Sequence, residues 1–332
     1  MSAGATLKNI AKALNISIST VSRALKNHPD ISDETKRKVT ETAAMLEYEP
    51  NAYAISLRTN KSRLLGIIIP YISYYFYHSF ITAAEEEAKK NNYSLLILQS
   101  GDNPESELEN LKVCRINKVA AVFISISPHT KDIKPFMRLT EDNTPVIFFD
   151  RVPDYEACDK VRINDEEAAT LAANKILSSG YKKVLAIFGN PELSITRKRE
   201  QTFNKILGDK LLSNNLTEVN AISSKEAQER TTEALESKNK PEVIFCMSDE
   251  VLTGVMKSIQ KLKLNIPEDI AVISISNDNF IPTLYEPEIT YIETSGYDLG
   301  KLAFKRMLDY MAGKTFIQEV LLPPKLMEGR SM

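Results

Sequence analysis

From Leu64 onward the chain is written in short apolar runs separated by helical stretches, and that alternation leaves few folds open. LLGIIIP (64–70), SLLILQS (94–100), AAVFISI (120–126) and VIFFD (146–150) are strand-length, with helical stretches such as 78–91 and 104–116 between them. A strand without polar alternation is buried on both faces, and strands that alternate with helices form a parallel sheet covered on both sides. A second set follows: KVLAIFG (183–189), NAIS (220–223), VIFCMS (243–248) and IAVISIS (270–276). The expectation is an α/β protein with two Rossmann-like parallel-sheet lobes in tandem. At 332 residues, 43% hydrophobic and 26% charged, the chain has ordinary globular composition and enough length for two or three cores.

The first sixty residues read differently. In TLKNIAKALNISISTVSRALK, Leu7, Ile10, Ala11 and Leu14 fall on one helical face, with Thr6 placed to cap the first turn. Val21, Ala24 and Leu25 form the inner face of a second helix, which Ser17 would cap after the turn Asn15-Ile16-Ser17. The spacing is that of a helix-turn-helix, although a small helical hairpin at a domain edge fits it too. Ile18, Ser19, Ser22, Arg23 and Lys26 are left outside. Arg can bind guanine O6 and N7 bidentately in the major groove, and Ser can bond several base edges. A third helix, capped by Ser32 with Val39, Thr42, Ala43 and Leu46 inward, would close a three-helix core. Residues 1–63 carry ten Lys/Arg against six Asp/Glu, whereas the whole chain has a net charge of −2, so the basic surplus sits with the helix pair.

Taken together, TLKNIAKALNISISTVSRALKNHPDISDETKRKV and YEPNAYAISLRTNKS resemble the DNA-binding headpiece of the lactose/galactose repressor (LacI/GalR) family. The resemblance runs nearly end to end and is most specific over residues 6–63. It implies a helix-turn-helix domain at 1–50, a hinge helix and linker at 51–63, and an effector-binding domain at 64–332. It further implies operator contacts by Thr6, Ser17, Ile18, Ser19, Thr20, Ser22, Arg23 and Asn27, with Asn51, Ala54 and Leu57 in the hinge. In this family the hinge helix pairs with its twin and wedges a leucine into the minor groove. Leu57 matches that leucine and Ala54 the small residue beside it. On the residues alone, 52–58 is too short a helix to stand by itself and reads equally as a linker.

ITYIET (289–294), a helix at about 297–312 and FIQEVLL (316–322) remain. The resemblance assigns them back to the first lobe, with boundaries at about 64–161 and 293–322, against 162–292 and 323–332 for the second. The chain then crosses between lobes three times, as in periplasmic sugar-binding proteins, whose ligand lies in the interlobe cleft.

Ligands of open parallel sheets meet the carboxyl ends of strands, which points to 70–76, 150–151, 189–199, 248–249 and 276–278. Strand-end Asp is also a common helix cap. By resemblance, Arg199 matches the effector-binding arginine, Asp150 a pocket residue after the fourth strand, and Ser248 precedes a near-invariant Asp249. Ser276 and Asn277 stand where the family has an acidic pair. Tyr71 and Tyr74 replace the usual Asp and Asn, Leu193 and Ile195 occupy turns that are often polar, and Thr202 replaces a glycine. The expected cleft is more aromatic and less acidic than a typical sugar site, with Tyr71, Tyr74, Tyr75, Phe76 and Tyr77 crowded at one strand end and two or three of them facing the ligand. Stacking on a ring and lid packing are both open readings.

Other classes find little support. Cys114, Cys158 and Cys246 are scattered, with no CxxC pair and no Cys/His cluster, so buried thiols are expected rather than a disulfide or a metal site. His28, His78 and His129 are isolated, and no GxGxxG or Walker loop follows the strands, so no catalytic residue and no cofactor are assigned. MSAGATLKN lacks a charged leader and apolar run, and no segment reaches the roughly 18 apolar residues of a membrane span, which points to a cytoplasmic protein. The expected function is a ligand-controlled, dimeric transcription regulator, a repressor of carbohydrate-related genes acting on a palindromic operator. Its effector is expected to be a sugar or sugar derivative. The alternative is a solute-binding-type sensor without operator-specific regulation, and a sugar-metabolising enzyme is a remote third.

Overall fold

A computed structural model describes residues 5–48, 62–208, 210–211, 215–314 and 316–332. The chain divides into two compact units, Met1–Ser62 and Arg63–Met332.

In the first unit, α1 (Leu7–Leu14), α2 (Ile18–Leu25) and α3 (Asp33–Met45) pack around Ile10, Ala11, Val21, Ala24, Val39 and Ala43. Each helix begins on a hydroxyl side chain that accepts a free backbone N–H: Thr6 from Asn9, Ser17 from Thr20, Ser32 from Thr35. At Thr6 the cap is reciprocal, because the Asn9 side chain accepts the Thr6 backbone N–H at 2.9 Å. Asn15 ends α1 in the left-handed region (φ 51°), which Asn tolerates, and this reversal sets up the turn into α2. Two expected inner residues face outward. Leu25 and Leu46 are exposed, because a core this small is closed by one Val and one Ala from each of α2 and α3.

The second unit holds two six-stranded sheets. Sheet one has the order β11–β5–β4–β3–β1–β2, with β1 (Leu64–Ile69), β2 (Ser94–Gln99), β3 (Ala121–Ile124), β4 (Val146–Phe149), β5 (Asp159–Ile163) and β11 (Glu319–Leu322). Sheet two has the order β12–β10–β9–β8–β6–β7, with β6 (Val184–Phe188), β7 (Leu216–Asn220), β8 (Val243–Cys246), β9 (Ala271–Ser276), β10 (Thr290–Glu293) and β12 (Lys325–Met327). All pairings are parallel except β10 with β12. Helices cover both faces, among them α4 (Tyr75–Lys90), α5 (Pro104–Ile116) and α6 (Lys134–Glu141) in the first lobe and α7 (Asp165–Ser178), α8 (Ser194–Gly208), α9 (Ser224–Glu236) and α10 (Asp249–Leu262) in the second. A short turn of helix, α11 (Phe280–Thr283), precedes the long α12 (Gly296–Met311), which packs on α4.

Three sequence expectations are corrected here. ITYIET belongs to the second sheet, since β10 pairs with β9, and only the helix and strand after it return to the first. The strand expected at 220–223 lies at 216–220 instead: among the described residues β7 is an edge strand bonded only to β6, so LTEVN mixes half-buried and exposed residues rather than forming an apolar run. β5 and β12 were not expected as strands. DKVRI is fully buried, and two of its three charged residues are paired: Asp159 accepts from Arg306 Nε at 2.8 Å, and Arg162 Nε donates to Glu319 at 2.7 Å.

Cys114, Cys158 and Cys246 are buried free thiols, and burial pushes the first two up to about 11. Among the described residues no helix is long and apolar enough to cross a membrane.

Candidate functional site

Two regions gather the expected functional residues. The first is the outer face of α2. Ile18, Ser19, Arg23, Lys26 and Asn27 are exposed, while Thr20 and Ser22 are half-buried. The hydroxyls split into two groups. Ser17 Oγ lies 2.7 Å from Ser19 Oγ and 2.8 Å from Thr20 Oγ1, so these three serve the helix start as well as any groove. Arg23 offers a guanidinium with no side-chain partner among the described residues, and Asn27 stands just past the helix end at φ 54°. Lys36, Arg37 and Lys38 are drawn into pairs on their own helix, with Asp33, Glu41 and Glu34 at 3.4, 3.9 and 2.7 Å. Arg23 and Lys26, like Lys8 and Lys12 of α1, have no ion pair among the described residues and are open to an external anion. Asn51, Ala54 and Leu57 lie outside the described residues.

The second region is the interlobe cleft. In each sheet the strand order reverses between the first strand and its neighbours, at β1/β3 and at β6/β8, which is where a parallel sheet opens a crevice beyond its carboxyl ends. The two crevices face one cavity of about 380 Å³. Its wall includes Tyr71, Tyr74, Phe76, Asp150, Leu193, Ile195, Arg199, Ser248, Asp249 and Asn277. Ser276 is not among them: its hydroxyl lies 2.7 Å from that of Ser274 and its carbonyl accepts Thr294 N–H at 2.9 Å, a strut between β9 and β10.

All five crowded aromatics contribute to the wall, not two or three. The chain leaves β1, turns at 71–74 and enters α4, so these residues wrap one corner instead of alternating along a strand. Tyr71 and Tyr74 meet edge to face at 5.4 Å between centroids, and Tyr74 stacks on Tyr77 at 6.2 Å. Tyr71 is anchored by its hydroxyl to the Gly101 carbonyl at 3.0 Å.

The charged groups come as pairs that the sequence order hides. Arg199 donates Nε to Asp165 at 2.8 Å and Nη1 to the Met247 carbonyl at 3.0 Å, and its Nη2 lies 2.8 Å from the same carboxylate. Both residues are buried; burial raises the Asp165 pKa and Arg199 works against that rise. Arg151 donates to Asp102 at 2.6 Å. Burial works against its charge, but Tyr77, Asp102 and Asp150 outweigh that and hold its pKa above the usual value. Asp150, in the left-handed region at φ 58°, accepts the Tyr77 hydroxyl on Oδ2 at 2.7 Å; burial lifts its pKa, opposed by Arg151.

Ser248 caps α10, and Asp249 follows it at the positive end of that helix. Asp249 Oδ2 accepts the Asn277 N–H at 3.0 Å, while Oδ1 is buried without a partner. Burial pushes this carboxyl up to about 7, although the Asn277 N–H and the Ser276 hydroxyl pull it down. Asn277 spans the lobes. Its amide donates to Ser79 Oγ of α4 at 2.7 Å and its Oδ1 accepts Gly296 N–H at 2.8 Å, so it is part of the interlobe joint as well as the wall. A Cβ on Gly296 would stand 2.5 Å from the Phe76 carbonyl oxygen, which explains a glycine there.

Asp102 and Met247 line the cleft, and Asp165 pairs with Arg199 behind it, without having been named by the sequence reading. Asp102 follows β2 in a strand-end Ser-Gly-Asp turn, the same kind of signal that singled out Asp150.

Comparison with known proteins finds relatives of both units. Residues 6–51 match the family described as bacterial regulatory proteins, lacI family, and residues 173–332 match the periplasmic binding protein-like domain. Catabolite control protein A of Priestia megaterium is 27% identical, covering 98% of each chain, and the regulator NtdR of the NTD biosynthesis operon in Bacillus subtilis is 26% identical over 97% of this chain and 98% of its own. The transcriptional repressor PurR of Photobacterium profundum is 24% identical over 99% of this chain and 98% of its own. Among solved structures, the lac repressor dimer bound to operator and an anti-inducer superposes with a TM-score of 0.88 at 20% identity over 99% of both chains. With a lacI-family helix-turn-helix at one end and a periplasmic-binding-protein-like cleft in the other unit, the chain belongs to the LacI family: it is a ligand-controlled, DNA-binding transcription regulator.

Proposed function

We propose that the protein is a repressor that acts as a homodimer in the cytoplasm on a palindromic operator, with 1–50 reading DNA, 51–63 forming the hinge and 64–332 binding the effector. The observation that carries this reading is the pairing of an exposed α2 bearing Arg23 with a two-lobed unit whose cleft holds a buried carboxylate, Asp249, with one oxygen unpartnered. Two recognition helices would enter successive major-groove half-sites, so operator symmetry mirrors protein symmetry. Ile18 would make an apolar contact, Arg23 a guanine contact, and Ser19, Ser22 and Asn27 bond bases or phosphates, with Thr6, Ser17 and Thr20 holding the helix ends against the backbone. Leu57, aided by Asn51 and Ala54, would wedge the minor groove.

The cleft residues Tyr71, Tyr74, Phe76, Asp150, Leu193, Ile195, Arg199, Ser248, Asp249 and Asn277 would hold a sugar or sugar derivative. Closure on that ligand would pass through the joint at Asn277, Ser79 and Gly296, where the lobes already meet. The reaction-free reading fits a family of regulators, and no step of chemistry is assigned to the cleft. Gel-shift against DNA flanking the protein's own gene tests the reading. A discrete complex that survives excess non-specific competitor is expected. Binding no tighter to that DNA than to competitor, together with turnover of a small molecule, would overturn it.

A further inference from the structure

The charge balance of the cleft wall narrows the chemistry of what it holds, on the premise that the cleft is the effector site. Among the described residues six charged side chains line it: Arg151 and Arg199 against Asp102, Asp150, Asp249 and Glu250. Both guanidiniums are already matched from within the protein, Arg151 by Asp102 at 2.6 Å and Arg199 by Asp165 at 2.8 Å. No Lys or Arg nitrogen among the described residues lies within ion-pair distance of Asp150, Asp249 or Glu250. The wall therefore holds an unmatched excess of acid.

Asp249 makes the excess specific. It is only 8% exposed, its Oδ2 is occupied by the Asn277 N–H, and its Oδ1 is buried with no donor. Buried acceptors are nearly always satisfied in folded proteins, and an orphan in a binding cleft marks where a ligand's donor goes. Asp150 points the same way: the hydrogen bonds from Tyr77 and Ser125 both land on Oδ2, leaving Oδ1 for the cavity.

An anionic ligand would add charge to this excess, and to reach a guanidinium it would have to compete with Asp102 or Asp165. A neutral hydroxyl could donate to Asp249, but an ammonium donates through a charge-assisted hydrogen bond and favours the ionised form of a carboxyl that burial otherwise holds partly protonated near neutral pH. The aromatic rings of Tyr71, Tyr74 and Phe76 add π-electron density, which attracts cations. We propose that the effector is a ring compound bearing a protonated amine beside its hydroxyls, of the amino-sugar class, with Asp249 as the group that selects the amine.

The test is a thermal-shift titration of the full chain with matched sets at millimolar concentration: glucose, glucosamine and glucuronate, then the galactose and mannose counterparts. At least one amine should bind about tenfold tighter than its own hydroxyl form, as a charge-assisted bond exceeds a neutral one. The uronates should give no shift. Asp249→Asn should erase the preference for the amine. Should that variant fail to fold, Asp150→Asn should weaken it, and the wild-type ranking still decides. A uronate or a plain sugar binding as tightly as the amine, a preference that survives in Asp249→Asn, or no shift from any amine overturns the inference. Operator binding on the same preparation keeps the two readings apart. A protein that shifts DNA but prefers a plain or acidic sugar leaves the regulator intact, and one that prefers the amine but ignores DNA does the reverse.

Discussion

Replacing Arg199 by Met would remove the guanidinium while keeping much of the side chain's length. The structure sets the size of the effect. Arg199 and Asp165 are 8% and 2% exposed, so the pair sits in low dielectric, and the substitution deletes its bonds to the carboxylate together with the one to the Met247 carbonyl. Breaking a buried pair by removing one partner costs about 3–5 kcal/mol, because the other charge stays behind. Arg162 Nη1, 3.8 Å from Asp165 Oδ2, retains part of the compensation, so the lower end, about 3 kcal/mol, is expected. At roughly 2–4 °C per kcal/mol for domains of 150–250 residues, the midpoint should fall by about 6–12 °C. The loss should also depend on pH. Burial raises the Asp165 pKa and Arg199 lowers it, so without Arg199 the folded-state value rises further above the unfolded value near 3.9. Between those two values the folded state binds the extra proton, so the variant loses stability as pH rises. Urea unfolding should therefore find Arg199→Met closer to wild type at about pH 5 than at about pH 7.5. Adding Asp165→Leu should recover most of the loss, since a buried pair replaced as a unit by apolar groups is often neutral. A loss below about 1 kcal/mol, or one that does not shrink on acidification, would refute the reasoning.

Arg23→Ala should cost about 1–3 kcal/mol of operator binding and relax base preference at one position, read by competition among single-base operator variants. Leu57→Ala should weaken specific binding and leave non-specific binding nearly unchanged; full operator affinity in that variant would sink the wedge. Asp249, held up at about 7 by burial, keeps a proton in the folded state that the unfolded chain releases near pH 4, so its contribution to stability falls as pH rises from about 4 through 7. Asp249→Asn should flatten that segment of the stability profile, with Glu250 and Asp278 left as the nearby acids.

The fold was legible where burial is complete and apolar. β3, β4 and β6 are continuous runs of Val, Ile, Leu, Phe and Ala, and β1, β8 and β9 are such runs broken only by Gly66, Cys246, Ser274 and Ser276, so they announce themselves. β5 did not, because Asp159, Lys160 and Arg162 are charged, and Asp159 and Arg162 find their partners more than 140 residues away at Arg306 and Glu319. The helix caps at Thr6, Ser17 and Ser32 were local and therefore readable. The cleft shows the same division. Strand ends placed Asp150, Arg199, Ser248 and Asp249 on one wall, since that follows from topology. That Asp165 and Asp102 occupy the two arginines depends on contacts between elements far apart in the sequence, and that Asn277 is bound to Ser79 depends on a contact across the lobes; no spacing encodes either. The expectation of a less acidic cleft was read from the replaced positions, and the wall also carries Asp102, just after β2, and Glu250 of α10, which that reading did not name.

The central claim is that the cleft controls the DNA-binding end. It is tested most directly by measuring operator affinity, by fluorescence anisotropy, with and without a saturating amount of the ligand that binds most tightly in the thermal-shift panel. Coupling of about 1–3 kcal/mol predicts a change of roughly 5–150-fold, in either direction. An operator affinity that stays the same while the cleft is demonstrably full would contradict the account.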